Sequence, residues 1–401
     1  MKQGFGKLAS LEEAKKIIFS LVKEKENEKL RLENALNRVL AQNIVAKIDV
    51  PHFKKSAMDG FAVMAEDTFG ASNTNPKELP IIERIKIGQV AKKELKSNQC
   101  VEIATGAPLA KNADAVLMVE YCEKVDNKII LYKAVTPGEN VIDVGSDIKK
   151  GSLLLKKGTV LGPRFIGLLA SQGIKEILVK KPPKIAYFST GNEILPIDGQ
   201  LEEGKIYDIN SFTIIGSIKE QGCDALFLGI LEDDKELIKQ KIGEALEMAD
   251  FLLLSGGSSL GEEDLTAEAV KELGEVLVHG IAVKPGKPVL IGKVKNKLIL
   301  GLAGYPTSAL SNFYILVLPM IDRMLGAKRK PRIVKGKITK KIVSTIGRYE
   351  FLPVRINEDR AIPIQKGSSA IASLADADGF IEIDENTEVL EKGAEVEIKL
   401  F

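Results

Sequence analysis

Two lysines three residues apart, set in Lys284-Pro-Gly-Lys-Pro288, are the most distinctive chemical feature of this 401-residue chain. Prolines around a glycine stiffen a turn, and a solvated lysine pair has no need of stiffness. Held rigid, Lys284 and Lys287 suit an oxyanion such as phosphate. A second feature is the apolar run from Phe251 into Ser255-Gly-Gly-Ser-Ser-Leu-Gly261, followed by Glu262, Glu263 and Asp264. Taken alone it reads as a strand-to-helix turn with an acidic cap. Beside rigid lysines it reads as an anion cradle. Amides of Gly256, Gly257, Ser258 and Ser259 and a helix N-terminus would face the ligand, with Asp264 as a metal ligand and Glu262 and Glu263 capping the helix. Neither GxxxxGK[ST] nor GxGxxG occurs, so phosphate would be bound without those loops.

The elements that must carry these groups follow from periodicity. Beyond Lys181-Pro-Pro183 the chain alternates short apolar runs at 185–189, 225–230, 251–254 and 298–302 with helical patterns at 210–221, 237–248, 265–273 and 307–325. That alternation predicts a parallel sheet with helices on both faces. In such sheets ligands bind beyond the carboxyl ends of the strands. Those ends carry Thr190-Gly-Asn-Glu193, Glu232-Asp-Asp234, Ser255-Gly-Gly257 and Ala303-Gly-Tyr-Pro-Thr-Ser308, so several strands deliver carboxylates, hydroxyls and glycines to one edge. Carboxylates without histidine favour a hard cation such as Mg2+ bridging to phosphate oxygens, and point to metal-assisted hydrolysis or transfer at a phosphoanhydride.

Around this region the texture differs. Residues 8–40 are helical in pattern, with a capping box at Ser10 and Glu13 and a second helical piece at 30–40. Short alternating runs between residues 60 and 133, with a hairpin turn at Asp126-Asn127, predict an inserted β-rich domain, and 161–172 predicts a helix. Short runs after 332 predict a small β-barrel or sandwich. The expectation is an elongated multidomain chain of α/β plus β-rich domains, with a central parallel α/β sandwich. Its divisions are a discontinuous helical/linker domain at 1–50 and 145–180, a β-rich insert at 51–144, the α/β domain at 181–328 and a C-terminal β domain at 329–401.

The totals exclude much else. With 57 basic and 55 acidic residues the formal charge is +2, which gives no electrostatic case for nucleic acid or a membrane surface. Three scattered cysteines make neither a disulfide framework nor a zinc site, and two histidines rule out histidine-rich metal centres. The first residues lack the apolar core of a signal peptide, and a cytoplasmic, reduced, soluble protein is expected.

Six motifs in order, Ser56-Ala-Met-Asp-Gly60, Thr105-Gly-Ala-Pro108, Ser189-Thr-Gly-Asn-Glu193, Ile206-Tyr-Asp-Ile-Asn210, Ser255 to Gly261 with Asp264, and Lys284 to Pro288, resemble the molybdopterin molybdenumtransferase family, which is MoeA-like and includes the gephyrin E domain. The resemblance implies four domains and a homodimer whose active site is shared between subunits. It implies adenylylated molybdopterin and molybdate as substrates, magnesium-dependent hydrolysis of the adenylate, release of AMP, insertion of the metal into the dithiolene, and contact with the upstream adenylyltransferase. Asp59, Thr105, Glu193, Asp233 and Asp264 match catalytic positions, and Asp59, Glu193 and Asp264 match metal positions. Lys284, Lys287, Arg348, Ser368, Ser308, Asp208 and Asn210 match substrate or anion positions. Where the family reads Leu-Pro-Gly-Asn-Pro-x-Ser, this chain has Leu302-Ala-Gly-Tyr-Pro-Thr-Ser308. A non-catalytic pterin-binding scaffold, a tungstate-preferring paralogue and an adenylyltransferase are the alternatives.

Overall fold

The α/β plus β-rich fold is present in the computed structural model, which describes residues 8–256, 264–364, 367 and 370–401. Two compact units emerge, one formed by Met1–Gln42, Lys157–Ile166 and Lys175–Phe401, the other by Asn43–Lys156 and Gly167–Ile174.

In the larger unit, a six-stranded sheet runs in the order Asp224–Leu231, Lys184–Thr190, Phe251–Ser255, Lys297–Leu302, Leu290–Val294, Glu275–His279. The first four strands are parallel, with Ile185 opposite Phe251 and Leu252 opposite Ile299. Alternation assigns the two faces. Ile185, Tyr187, Phe251 and Leu253 enter one core with Ile214, Ile218 and Phe313, while Ala186, Phe188, Leu252 and Leu254 enter another with Ile238, Ile242 and Val270. Helices Asn210–Glu220 and Pro306–Asn312 therefore cover one face, and Lys235–Met248 and Leu265–Leu273 the other. Helix Leu11–Leu21, started by the Ser10 and Glu13 capping box, buries Leu11, Ala14 and Ile18 in the first core.

Three details differ from the sequence expectation. The sheet is mixed, because Leu290–Val294 pairs antiparallel with both Lys297–Leu302 and Glu275–His279; the turn Lys295-Asn296 that joins it to Lys297–Leu302 has both residues at positive φ, as a two-residue hairpin requires. Residues 30–40 hold the end of strand Asn27–Arg31, paired with Glu176–Lys180, and one 3-10 turn, Leu32–Asn34, in place of a helix. Pairing across more than a hundred residues overrides a local helical period there. The expected helix at 307–325 is divided by a π-helical turn, Phe313–Val317, before Leu318–Leu325. Pro319 lacks an N–H and crowds the preceding turn, which accounts for the wider turn in front of it.

The chain ends in a closed barrel of five strands in the ring order Tyr349–Asn357, Arg360–Pro363, Ile333–Ile338, Glu395–Leu400, Gly379–Ile383. Ile338, Leu352, Val354, Ile381 and Ile398 fill it. The short strand Val283–Lys284 adds to the barrel in parallel on Tyr349 and Glu350, so the lysine turn grows directly from a barrel edge.

The smaller unit carries its own six-stranded sheet, in the order Ala115–Met118, Gly60–Val63, Cys100–Ile103, Lys77–Ile85, Lys128–Leu131, Cys122–Val125. Phe61 and Val63 join one core and Ala62 the other, so both faces are covered. The Asp126-Asn127 hairpin is formed, with Asp126 at φ 53°.

Candidate active site

The lysine turn is fixed from two sides. Lys284 Nζ lies 3.1 Å from Glu350 Oε1, and Glu350, buried in the barrel, also accepts a hydrogen bond from Ser344 Oγ at 2.8 Å. The Lys284–Pro285 bond is cis. Gly286 has φ +96°, and a Cβ there would fall 2.4 Å from Asn312 Nδ2. That amide donates to Gly286 O at 3.0 Å while Asn312 Oδ1 accepts from Ala303 N at 3.2 Å. A single buried asparagine thus ties the lysine turn to the end of strand Lys297–Leu302. Sequence reasoning singled out neither Glu350 nor Asn312; their roles arise from contacts between distant segments.

A buried polar network lies under the neighbouring strand ends. Tyr187 OH is 2.6 Å from Ser255 Oγ and 3.0 Å from Ser189 Oγ. Ser189 Oγ donates to Asp208, whose carboxylate also accepts from Ser211 N at 3.0 Å. Asn210 Nδ2 donates to Ser255 Oγ at 3.1 Å and to Gly304 O at 2.7 Å. Burial pushes the Tyr187 phenol well above its ordinary pKa, so it stays neutral and serves as a hydrogen-bonding post. Gly256 follows at φ +92°, where a Cβ would collide with Thr190 O at 1.9 Å. Only glycine allows the chain to leave strand Phe251–Ser255 so close to its neighbour.

Two acids stand at the adjoining rim. Asn192 N donates to Asp233 Oδ2 at 3.3 Å and Asp233 N donates to Asn192 Oδ1 at 3.1 Å, so two strand-end loops hold each other. Glu193 is folded back over Gly191, where a Cβ would meet Glu193 Oε2 at 2.7 Å.

Members of each of these clusters line one cavity of about 1590 Å³. Its walls include Glu193, Asp208, Asn210 and Asp233 from the strand ends, and Lys284, Lys287 and Ser308 with Gly256. Arg348 and Glu350 reach it from the barrel. The sheet edge and lysine turn picked out from the sequence therefore share one space, as does Arg348. Asp264 is not among its walls: it is buried as the N-cap of Leu265–Leu273, accepts from Ala267 N at 2.8 Å, and lies 2.9 Å from His279 Nε2. Burial raises its pKa against the lowering effect of these hydrogen bonds. Asp264, expected as a metal ligand, is thus the cap of this helix. Gly257, Ser258, Ser259, Glu262, Glu263 and Ser368 lie outside the described residues.

Asp59 and Thr105 belong to the smaller unit, where Thr105 N donates to Asp59 Oδ1 at 2.8 Å. The two motifs are laced together by Gly106 N on Ser56 O at 2.8 Å and Ser56 N on Ala107 O at 3.0 Å. Gly60 is required beside Asp59, since a Cβ would sit 2.0 Å from Leu117 O in the next strand.

No group of three or more His, Cys, Asp or Glu residues able to hold a metal occurs among the described residues. Glu193 and Asp233, on the wall of one cavity lined by both carboxylates and cations, fit magnesium, which takes one or two protein carboxylates and completes its shell with substrate phosphate and water. No helix among the described residues is long and apolar enough to cross a membrane.

An α/β sheet whose strand-end cavity is lined by lysines, an arginine and carboxylates, in a chain that also carries β-rich parts, defines a class of multidomain enzymes acting on anionic ligands. Three family models match in succession: the MoeA N-terminal region (domain I and II) over residues 9–173, a probable molybdopterin binding domain over 186–323, and the MoeA C-terminal region (domain IV) over 335–401. A protein of Methanocaldococcus jannaschii, provisionally named for molybdopterin biosynthesis, is 40% identical over 408 residues, covering 98% of each chain. The molybdopterin molybdenumtransferase of Haemophilus influenzae is 34% identical over 385 residues, covering 94% of each. The crystal structure of a molybdopterin biosynthesis MoeA protein from Pyrococcus horikoshii superposes with a TM-score of 0.80 at 44% identity, covering 98% of this chain and 99% of that one. The chain belongs to the molybdopterin molybdenumtransferase family, and with it to the transferases of molybdenum cofactor biosynthesis.

Proposed function

We propose that the chain inserts molybdenum from molybdate into adenylylated molybdopterin, hydrolysing the adenylate and releasing AMP. The observation that carries this is the convergence of Lys284, Lys287 and Arg348 with Glu193 and Asp233 on one cavity large enough for a nucleotide-bearing ligand. In this reading the two lysines and the guanidinium neutralise phosphate and oxyanion charge, and Glu350 keeps the Lys284 ammonium from collapsing onto other acids. Glu193 and Asp233 hold magnesium, which when bound neutralises phosphate oxygens of the anhydride. Asp208 and Asn210 face the same space from the buried network, whose connections to Ser189 and Ser255 fix their orientation. Asp59 and Thr105 enter through the family resemblance, as does a homodimer and a contact with the enzyme that supplies the adenylate. We also place the protein in the cytoplasm.

The direct test is incubation of the purified chain with adenylylated molybdopterin, magnesium and molybdate. AMP release that needs both magnesium and molybdate is expected. Tight binding without AMP release would instead support a scaffold, and release driven equally by tungstate would remove the preference for molybdenum.

A further inference from the structure

Tyr305 stands out at the rim of the cavity. It lines the space yet its side chain is exposed, with 62% of the residue's surface accessible. A large aromatic left open to water at a ligand-sized opening forfeits burial, which becomes favourable once a ligand covers it.

Its backbone is held on both sides along the chain. Asn210 Nδ2 donates to the carbonyl of Gly304, immediately before it, at 2.7 Å. Tyr305 O accepts from Ala309 N at 2.8 Å as the helix Pro306–Asn312 begins. Pro306 restricts Tyr305 to extended backbone, observed at φ −69° and ψ 136°. A Cβ on Gly304 would lie 3.8 Å from Gly256 Cα, so the turn abuts the start of the glycine loop. The backbone is pinned while the ring projects at the edge of the cavity. A pre-positioned, two-torsion aromatic side chain presents a π-face at small entropic cost.

We propose that Tyr305 is a specificity-determining residue that stacks on a flat heteroaromatic ring of the ligand, while the lysine side of the cavity takes the ligand's anion. The inference rests on the function proposed above, in which the ligand carries two such rings, a pterin and an adenine. Either presents the same surface to the phenol, and the phenolic hydroxyl is not needed for it. Base–aromatic stacking corresponds to losses on the order of ten-fold or more in affinity when the ring is removed.

The test uses the intact chain and its Tyr305→Phe, Tyr305→Leu and Tyr305→Ala variants, titrated calorimetrically with AMP, with neopterin and with ribose 5-phosphate. Tyr305→Phe is expected to match the parent. Tyr305→Leu and Tyr305→Ala are expected to bind one of the two heterocycles about ten-fold more weakly, with ribose 5-phosphate unchanged and the thermal midpoint unmoved. Loss confined to AMP assigns the adenine, and loss confined to neopterin assigns the pterin. Unchanged affinity for both heterocycles in the leucine and alanine variants would overturn the proposal while leaving the function intact. So would a parallel loss of ribose 5-phosphate binding. Failure of the parent chain to bind any of the three would overturn the underlying function as well.

Discussion

Gly256 and Glu350 show how the cavity depends on single residues. Gly256 combines a φ of +92° with contact against Thr190 O, so Gly256→Ala is expected to destabilise the larger unit by at least the ~1–3 kcal/mol typical of a strained backbone site, read as a lower denaturation midpoint. An undisturbed midpoint would mean that the loop relaxes freely. Glu350→Ala removes the partner of both Lys284 and buried Ser344, and a cost of about 1–3 kcal/mol is expected from the unsatisfied groups. The more telling readout is anion affinity, which should weaken in Glu350→Ala as Lys284 loses its anchor. Residues such as Lys284, Lys287, Glu193 and Asp233 were legible in the sequence because turn chemistry and strand ends mark them locally. Glu350, Asn312 and Tyr187 were not, because their importance comes from partners far away in the chain. Asp264 was legible as an acid beside the glycine loop, but its pairing with His279 was not.

At the level of elements, helices Lys235–Met248 and Leu265–Leu273 are joined by an exposed triad. Lys235 Nζ lies 2.8 Å from Glu272 Oε1 and Lys239 Nζ 2.5 Å from Glu272 Oε2. Hydrogen bonds from these two lysines hold the Glu272 carboxyl at about 2, below its ordinary value of 4.5. A depressed carboxylate pKa stabilises the folded state above the unfolded value, and that contribution is lost as pH falls from about 4.5 towards 2. Glu272→Gln should therefore be less stable than the parent at neutral pH, with the difference closing near pH 2 and shrinking in high salt because the groups are solvated. A difference independent of pH would point to packing. Sequence periodicity identified both helices because each carries a continuous apolar face. It misassigned residues 30–40, where strand Asn27–Arg31 draws its stability from Glu176–Lys180, and it missed Leu290–Val294, whose turn residues Lys295 and Asn296 lack the glycine that usually marks such hairpins.

On the scale of the whole molecule, the family match runs from residue 9 to residue 401 in three segments, and the described structure has two separately cored units. The order of motifs makes the family readable in the sequence, since each motif is weak but their succession is specific. Spatial assembly was not readable, because no local pattern encodes which loops meet. A homodimer belongs to the proposed function, and sedimentation at micromolar concentration should give twice the 43.6 kDa chain mass, whereas a monomer persisting under those conditions would contradict it.

In the proposed function, the strand-end cavity of the larger unit carries out the adenylate hydrolysis. The sharpest measurement is molybdate-dependent AMP release by Glu193→Gln and Asp233→Asn beside the parent chain, with folding checked by thermal denaturation. Release is expected to fall at least a hundred-fold in both variants at unchanged midpoint, the scale on which losing a catalytic carboxylate acts. Parent-like release from both folded variants would contradict it.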